Sequence, residues 1–467
     1  MFLSIINDYD LRTGLCELVD NALDLWQLNN SSSLLKIEVT LDPDRQCIEV
    51  KDNAGGVSED QAELLIAPGA TRQNSDKPLI GIFGVGGKRA GVALGELVEI
   101  RTRHAKGKSI QIDISADWIS TDDWDLEIFE IPDIASGTTS VTISKVRQSF
   151  GAIEVDKIKA DFCEIYGRFI GSNCSIRVNE TEIVAKKFDV WAYPPNYLPR
   201  TATFPIEPTA GKQLSVTLSG GLIQDRIPEA ENYGVYFYCN NRLIVKELKN
   251  RDVGYHVSAE AGVPHPDASI SRVIVEYIGA PELMPWNSSK SDINYSHPAF
   301  IQIRNRIIDF NAYYTGLSRR LKHAWDSEVF KHTEGKVQRV QAEQASSEKK
   351  KILPKLPASK RHNHLGLLKE LNKQNLQQNP WTVGLVEVMG FLDIVDKQKF
   401  DTKYRISLIL LDSNLEIAMK EFIVHRKDVY PAHLSMAETK CARWRRKSVP
   451  VWLIKKGCDA LGSVCLV

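Results

Sequence analysis

Hydrophobic and polar positions recur with two different periods along the chain, and these periods predict where helices and strands lie. Residues 11–28 carry apolar side chains three and four positions apart, which predicts an amphipathic helix. Residues 35–51 contain two alternating runs around an Asp-Pro-Asp turn, which predicts a β-hairpin. A helix near 58–66 and the strand-like runs LVEIRTR, SIQIDIS and SVTIS follow. The first part of the chain is therefore predicted to combine helices with a mixed sheet.

The remainder of the chain shows a second mixed unit, a polar stretch and a helical end. A helix over 154–171 and a helical run over 297–325 are predicted, with strands near 174–184, 214–219, 234–238 and 272–278. Residues 331–365 are rich in Lys, Gln, Ser and Pro, which is typical of a linker, and 381–426 return to a helical pattern. We therefore expect a first domain over residues 1–147 and a second domain over 148–330. A polar linker over 331–380 and a helical C-terminal module over 381–467 would follow.

Composition and charge narrow the class of protein without identifying a function. The 467 residues are 43% hydrophobic and 25% charged, which is ordinary for globular domains, and 59 basic residues balance 59 acidic ones. Overall charge therefore favours no partner. The eight cysteines form no CxxC pair, and no His/Cys spacing is typical of a zinc site. With no signal peptide and no apolar run long enough to cross a membrane, we expect a cytoplasmic protein with reduced thiols.

The first candidate for chemistry is the sequence ELVDNALD on the predicted helix 11–28. Glu17 and Asn21 are one turn apart and share a helix face, and Asp24 lies close to that face. A carboxylate can take a proton from water, and the carbonyl oxygen of an Asn side chain can bind Mg²⁺. Taken alone, the pattern is more typical of a solvated helix face.

Two further segments are suited to binding a purine base. Asp52 ends a predicted strand and could accept a hydrogen bond from an adenine amino group, while the glycines after it, including Gly56, would let a flat base approach the backbone. Thr138 follows Gly137 at the start of another strand and could share a water molecule with that base. Taken alone, the Asp52 segment is more typical of an ordinary Asn/Gly turn, and the Thr138 segment is equally compatible with a plain strand start.

Glycines are dense in the sequence GIFGVGGK, which opens a predicted helix. Backbone N–H groups in such a loop, together with the helix N-terminus, can hold phosphate groups. The spacing differs from that of a Walker A loop, and no strand–turn–helix unit precedes it as in dinucleotide-binding folds. The candidate phosphate-binding residues are Gly81, Gly84, Val85, Gly86, Gly87 and Lys88.

The order and spacing of these segments carry more information than any one of them. ELVDNALD, DNAGGV, GIFGVGGKRAG and GTTSVTI resemble the motifs of GHKL ATPases, which include gyrase B, the ninety-kilodalton heat-shock chaperones, MutL and the MORC proteins. The resemblance implies an α/β Bergerat sandwich over 1–147, with ATP and Mg²⁺ as ligands and a lid over residues 67–85. Two positions depart from the usual form, with Ala54 in place of Gly and Val57 in place of Met.

The same resemblance implies roles for individual residues. Glu17 would be the general base, Asn21 would bind Mg²⁺, and the glycine-rich segment would contact the phosphates. The expected adenine contacts are Asp52, Gly56 and Thr138.

The second domain contributes one further candidate. Lys290, in MPWNSSKSDINYSHP, resembles the lysine that MutL and MORC proteins send into the ATP site, and YCNNRLIV resembles the strand and turn preceding it. The resemblance implies a transducer-like α/β second domain and a cation that stabilises charge at the γ-phosphate. The alternative is a surface lysine in a Ser/Asn-rich loop.

These expectations describe an ATPase that closes as a homodimer on ATP and reopens after hydrolysis, with DNA or a client protein as its target. A role in repair, restriction or phage defence is implied by the family alone. A histidine kinase is excluded because no histidine precedes the first helix; the first is His104. A scaffold that binds ATP without turnover is the alternative, which intact Glu17 and Lys290 disfavour.

The end of the chain leaves a different alternative open. Arg426 and His433 have the spacing of HEPN ribonucleases, which would make the protein an ATP-regulated nuclease. Pro431 lies between them and would interrupt a helix, so a helix for packing or dimerisation is favoured instead. The final basic and aromatic stretch is compatible with nucleic-acid contact or with a terminus that has no fold of its own. The segment before the first helix is shorter than in the family, so we expect a truncated start or a small dimer strap.

Overall fold

The chain divides into two compact units, Met1–Ala358 and Ser359–Val467. The computed structural model describes residues 9–29, 32–62, 77–81, 86–105, 107–120, 127–171, 173–340, 353–358, 364–396, 398 and 400–425. None of the helices within these ranges combines the length and apolar character needed to cross a membrane.

An eight-stranded sheet forms the first half of the first unit, as far as that half is described. Its strands are β1 (Leu35–Asp42), β2 (Cys47–Asp52), β3 (Gly95–Arg103), β4 (Ser109–Ser115), β5 (Ile128–Glu130), β6 (Thr139–Val146), β7 (Cys174–Val178) and β8 (Thr181–Glu182). They lie in the order β5-β4-β3-β6-β2-β1-β7-β8, and only the β1–β7 pair is parallel. Side chains of β1 alternate between buried and exposed, so one face of the sheet forms the core. The predicted hairpin over 35–51 is confirmed as β1 and β2.

In the described part of this region, four α-helices accompany the sheet: α1 (Leu11–Leu28), α2 (Gly86–Leu94), α3 (Ala116–Ser120) and α4 (Ala152–Ile165). Asp10 starts α1 with a capping box, because its carboxylate accepts from the Thr13 N–H at 2.7 Å and its own N–H donates to the Thr13 hydroxyl at 2.9 Å. Leu15, Val19 and Leu23 are buried against the sheet. The expected mixed α/β class is confirmed, with helices and a largely antiparallel sheet in one layered domain.

Two predicted boundaries differ from the observed ones. The first sheet continues beyond residue 147, because β7 pairs with β1 from Leu35 opposite Cys174 to Val39 opposite Val178. A parallel pairing between strands so distant in sequence leaves no local pattern. The helix predicted over 154–171 ends at Ile165. A side chain at Gly167 would lie 2.5 Å from the Lys186 carbonyl oxygen, so the chain turns there to pack closely on another segment.

The second sheet has seven strands within the described ranges. They are β9 (Trp191–Ala192), β10 (Arg200–Thr209), β11 (Lys212–Ile223), β12 (Gly234–Cys239), β13 (Arg242–Leu248), β14 (Ser271–Ile278) and β15 (Gln338–Val340). The order is β13-β12-β14-β11-β10-β15, with β9 paired to β11. Helix α5 (Pro298–Arg320) packs on β14, β11 and β10. Every residue of β12 is buried, which is typical of a strand covered on both faces.

The second unit is helical where it is described. It contains α6 (His364–Leu371), α7 (Lys373–Gln378), α8 (Val383–Asp396) and α9 (Lys403–His425), with α8 packed against both α6 and α9. Residues 331–380, predicted as a polar linker, contain β15, α6 and α7 where the structure describes them. Strand β15 joins β10 through its backbone, which polar composition does not reveal.

Candidate nucleotide-binding site

Helix α1 carries three acidic side chains on its buried face, which is unusual for a helix of a globular protein. Glu17, Asp20 and Asp24 are each less than a tenth exposed. A buried carboxylate is costly unless hydrogen bonds or cations compensate it. Each of the three has such partners, and those partners come from segments distant in sequence.

Glu17 is paired with Lys290, the lysine of the second domain that the resemblance singled out. The Lys290 ammonium lies 2.7 Å from one Glu17 carboxylate oxygen and 2.8 Å from the other, and both side chains are buried. The same ammonium lies 3.1 Å from Asp20. Burial alone would lower the pKa of Lys290, but the Asp20 and Glu17 carboxylates outweigh burial and raise it. Lys290 is therefore a charged ammonium shared between two carboxylates.

Asp20 joins this pair to a second buried cation that sequence reasoning missed. The Arg242 Nε donates to Asp20 at 3.0 Å, and the Tyr166 hydroxyl lies 3.0 Å from the same carboxylate oxygen. Burial is the largest influence and acts to lower the pKa of Arg242, but Asp20 and the other acidic groups around it together more than offset burial, so Arg242 stays charged. The only sequence signal for Asp20 was its place in ELVDNALD, and Arg242 lies within the YCNNRLIV segment.

The loop that presents Lys290 is held in a strained conformation. Lys290 has a φ of 51°, which is uncommon for a residue with a side chain. Its N–H donates to the Asn287 carbonyl at 3.0 Å, and its own carbonyl accepts from Arg242 Nη1 at 2.9 Å. The Asn287 side chain accepts from the Ser291 N–H at 2.8 Å. Arg242 thus holds the backbone of Lys290 and the carboxylate of Asp20 together.

Asp24 anchors the entry to the glycine-rich segment. Its two carboxylate oxygens accept from the Ile80 N–H at 2.7 Å and the Gly81 N–H at 2.6 Å. Burial raises the pKa of Asp24 to about 7, and these two hydrogen bonds oppose that rise. From the second sheet, the Asn240 side chain donates to the Leu79 carbonyl at 2.6 Å. The start of the segment is therefore fixed both by α1 and by the turn between β12 and β13.

The predicted phosphate-binding residues are only partly described. Gly81 is held by Asp24, and α2 begins at Gly86 and continues through Gly87 and Lys88. Gly84 and Val85 lie outside the described residues, as do residues 67–76 of the predicted lid and residues 63–66 of the predicted helix 58–66. Where that helix is described, it is a short 3₁₀ turn, Glu59–Gln61. The first turn of an α-helix has backbone N–H groups without partners inside the helix, so the N-terminus of α2 is suited to an anion.

Asp52 stands at the end of β2 beside a turn that requires glycine. One carboxylate oxygen accepts from the Ala54 N–H at 2.9 Å, and the other has no hydrogen bond to a described residue. Burial raises the pKa of Asp52 to about 7, and the hydrogen bond from Ala54 opposes that rise. Gly56 has a φ of 67°, and a side chain there would lie 2.1 Å from the Arg103 carbonyl oxygen. This turn therefore packs directly on the end of β3.

Three strand ends meet at Asp52. The Gly55 N–H donates to the Gly137 carbonyl at 2.9 Å, which joins the turn to the start of β6. Thr138 is buried there, and Thr139 pairs directly with Asp52 in the sheet register. Cross-strand partners point to the same face, so Thr139 shares the face of Asp52. Thr139 was not among the predicted contacts, because register cannot be assigned from one strand.

The predicted residues converge along α1. Glu17 faces Lys290, Asp24 holds Gly81, and the Asn29 side chain donates to the Ala54 carbonyl beside Asp52 at 2.9 Å. Glu17 and Asn29 are separated by about 18 Å along the helix. Asn21 is exposed, and it lies on α1 between the buried residues Glu17 and Asp24. The Asp52 end and the glycine-rich end thus belong to one surface.

The hydrogen-bonding and charged groups on this surface suit a nucleotide with bound Mg²⁺. A free Asp52 oxygen can accept from a base amino group, and Lys290 and the α2 N-terminus can balance phosphate charge. Within the described ranges, no group of three or more His, Cys, Asp or Glu side chains is arranged to hold a metal ion. Mg²⁺ bound through phosphates needs few protein ligands, and the exposed Asn21 amide could supply one.

Comparison with known proteins finds a family match for part of the chain. Residues 9–146 match the family model described as histidine kinase-, DNA gyrase B-, and HSP90-like ATPase. The matched region contains α1, the Asp52 turn, the start of α2 and Thr138. No functionally curated protein matches the chain. Arg426 and His433, the candidate nuclease residues, lie outside the described residues.

Proposed function

Because residues 9–146 form a domain of the histidine kinase-, DNA gyrase B- and HSP90-like (GHKL) ATPase family, we propose that this chain binds ATP with Mg²⁺ and hydrolyses it. The observation that carries the proposal is the contact of Lys290 with Glu17 at 2.7 and 2.8 Å. It brings a buried cation from the loop after β14 to the carboxylate proposed as general base. A scaffold that only bound ATP would have no use for this pair.

Each part of the surface has a proposed task. Asp52 accepts from the adenine amino group, with Gly56 and Thr138 beside the base. Gly81, Gly84, Val85, Gly86, Gly87 and Lys88 surround the phosphates, and Asn21 binds Mg²⁺. Mg²⁺, when bound, neutralises phosphate charge.

Lys290 would link the presence of the γ-phosphate to activation of the base. Without nucleotide, the Lys290 ammonium occupies both carboxylate oxygens of Glu17, which keeps them from accepting a proton from water. A γ-phosphate competes for the ammonium, because it carries more charge than one carboxylate. As Lys290 turns to the phosphate, Glu17 becomes free to take a proton from the attacking water. Asp20 and Arg242 remain to hold the Lys290 backbone.

The same contacts offer a route from nucleotide to a change of conformation. Lys290 and Asn240 both reach from the second sheet to the nucleotide surface, one at Glu17 and the other at Leu79. A nucleotide that alters both contacts would bias how the second sheet sits on the first. We propose that this drives closure of a homodimer on ATP and reopening after hydrolysis, with DNA or a client protein as target.

Two measurements on the purified full chain test the proposal. Phosphate release from ATP should require Mg²⁺ and should be slow. Light scattering should show a larger species with a non-hydrolysable ATP analogue than with ADP. A chain that binds no labelled ATP at millimolar concentration would refute the proposal. Repeating the phosphate-release assay with added DNA tests whether DNA is the target.

A further inference from the structure

The turn after Asp52 contains two consecutive glycines with positive φ angles. Gly55 has a φ of 130° and Gly56 a φ of 67°. Glycine loses more conformational freedom on ordering than any other residue, so a segment with two glycines is costly to hold in one shape. Contacts that fix the peptide groups of this turn in advance would reduce the cost of binding a flat base against it.

Two side chains from different elements hold successive carbonyl groups of this turn. The Asn29 side chain, at the end of α1, donates to the Ala54 carbonyl at 2.9 Å. The Nδ1 atom of His104 lies 3.1 Å from the Gly55 carbonyl oxygen. A carbonyl can only accept, so Nδ1 carries the hydrogen of this contact. The peptide groups on both sides of Gly55 are therefore held, one from α1 and the other from the turn between β3 and β4.

The β3–β4 turn is anchored on both sides of His104, which fixes the position of that side chain. The Arg103 carbonyl accepts from the Gly137 N–H at 2.9 Å. The Ser136 hydroxyl donates to the Ala105 carbonyl at 2.8 Å. Both neighbours of His104 in the chain are thus tied to the segment that precedes β6. His104 itself is exposed, so its contact with Gly55 contributes little to the core.

We propose that His104, together with Asn29, is a positioning residue for the purine base. The inference rests on the proposed function, because it adds a residue to the same nucleotide site. His104 keeps the glycine turn in the conformation that receives the base before nucleotide arrives. It acts through the turn and needs no contact with ATP. Its loss should therefore weaken ATP binding and leave the chemical step unchanged.

Three substitutions at His104 separate the hydrogen-bond donor from the rest of the ring. H104A removes the donor, so the Kd for ATP should rise about threefold to tenfold, with kcat at saturating ATP unchanged. H104N keeps an N–H donor at the place of Nδ1 and should restore the wild-type Kd. H104D places a carboxylate against the Gly55 carbonyl and should raise the Kd further than H104A does.

The matched control is K108A. Lys108 is exposed on the same β3–β4 turn, but its ammonium lies 2.7 Å from Glu130 rather than at the glycine turn. This variant should bind ATP as the wild type does. Equilibrium binding of a labelled ATP analogue and phosphate release, both on the full chain, measure Kd and kcat separately.

Hydrogen exchange without nucleotide gives a readout that does not depend on activity. The Gly55 N–H donates to the Gly137 carbonyl, and the Val57 N–H donates to the Thr102 hydroxyl, each at 2.9 Å. These two amides should exchange faster in H104A than in the wild type, and at the wild-type rate in H104N. The midpoint of thermal unfolding should be the same in all the variants, because His104 is exposed.

The outcomes separate this inference from the proposed function. Equal Kd values for the wild type, H104A and H104D would overturn the inference and leave the proposed function standing. The same holds if H104N binds as weakly as H104A, if K108A shows an equal loss, or if kcat falls with Kd unchanged. A wild-type chain that binds no ATP would overturn both.

Discussion

The Lys290 ammonium holds both carboxylate oxygens of Glu17, at 2.7 and 2.8 Å, across 273 positions of sequence. This ion pair is buried, and each charge depends on the other for compensation. In the proposed mechanism, a nucleotide must draw Lys290 away before Glu17 can act as general base.

Replacement of Glu17 by Gln should separate ATP binding from hydrolysis. The amide cannot take a proton from water, so kcat should fall about 10²- to 10⁴-fold. Lys290 keeps its bond to Asp20 and loses a competing charge, so ATP affinity should be kept or increased. Phosphate release and equilibrium binding of a labelled ATP analogue measure the two effects.

The matched control for this change is Glu38→Gln, on an exposed position of β1. It should leave both quantities as in the wild type. Turnover that survives in Glu17→Gln would show that another group is the base.

Replacement of Lys290 by Ala should affect both nucleotide discrimination and stability. The variant loses the cation proposed to meet the γ-phosphate, so affinities for ATP and ADP should become similar and kcat should fall about 10²- to 10³-fold. Without nucleotide, Glu17 and Asp20 remain buried and lose a shared cation, which should cost about 3–5 kcal/mol. Urea unfolding measures that cost, with exposed Lys187→Ala as the control.

Arg242→Lys tests whether Arg242 positions Lys290. Arginine donates to Asp20 and to the Lys290 carbonyl with two different nitrogens, and an ammonium cannot reproduce that fork. A displaced Lys290 should lower kcat about 10- to 100-fold while KM for ATP changes little. A purely structural role for Arg242 would instead reduce the fraction of folded protein, with kcat per folded molecule unchanged.

Local patterns drew attention to those candidate site residues that come from one segment each. Helical spacing, a strand end and glycine density singled out Glu17, Asp52 and Gly81, and the order of the segments together with the family resemblance gave them their predicted roles. Lys290 could be assigned only through family resemblance, because no local pattern distinguishes it from a surface lysine.

The contacts between segments could not be predicted. Asp20 and Tyr166 are polar groups whose burial depends on how α4 packs on α1, and that packing leaves no mark on either sequence segment. Thr139 required the β2–β6 register, and β7 required a parallel pairing with β1. Register and long-range pairing follow from the assembled core, so single-sequence patterns do not determine them.

Asp52→Asn should lower the affinity for ATP and raise the stability of the fold, and both effects should depend on pH. Burial raises the pKa of Asp52 to about 7, above its ordinary value of 3.8, so the folded protein binds more protons than the unfolded chain between these values. The stability that this carboxyl contributes is therefore lost as pH rises through that window. Asn carries no charge, and since the site is only half-buried we expect the free energy of unfolding to rise by about 1–2 kcal/mol at pH 8 and not at all at pH 4.

The same substitution should weaken ATP binding. At pH 8 the amide is a weaker acceptor for the adenine amino group, so ATP affinity should fall about 10- to 100-fold. In the wild type, ATP affinity should decrease from pH 8 to pH 6 as Asp52 takes up its proton, and Asp52→Asn should reduce that slope. Thermal unfolding and ATP titration at each pH measure both effects, and an unchanged slope in the variant would assign the titration to another group.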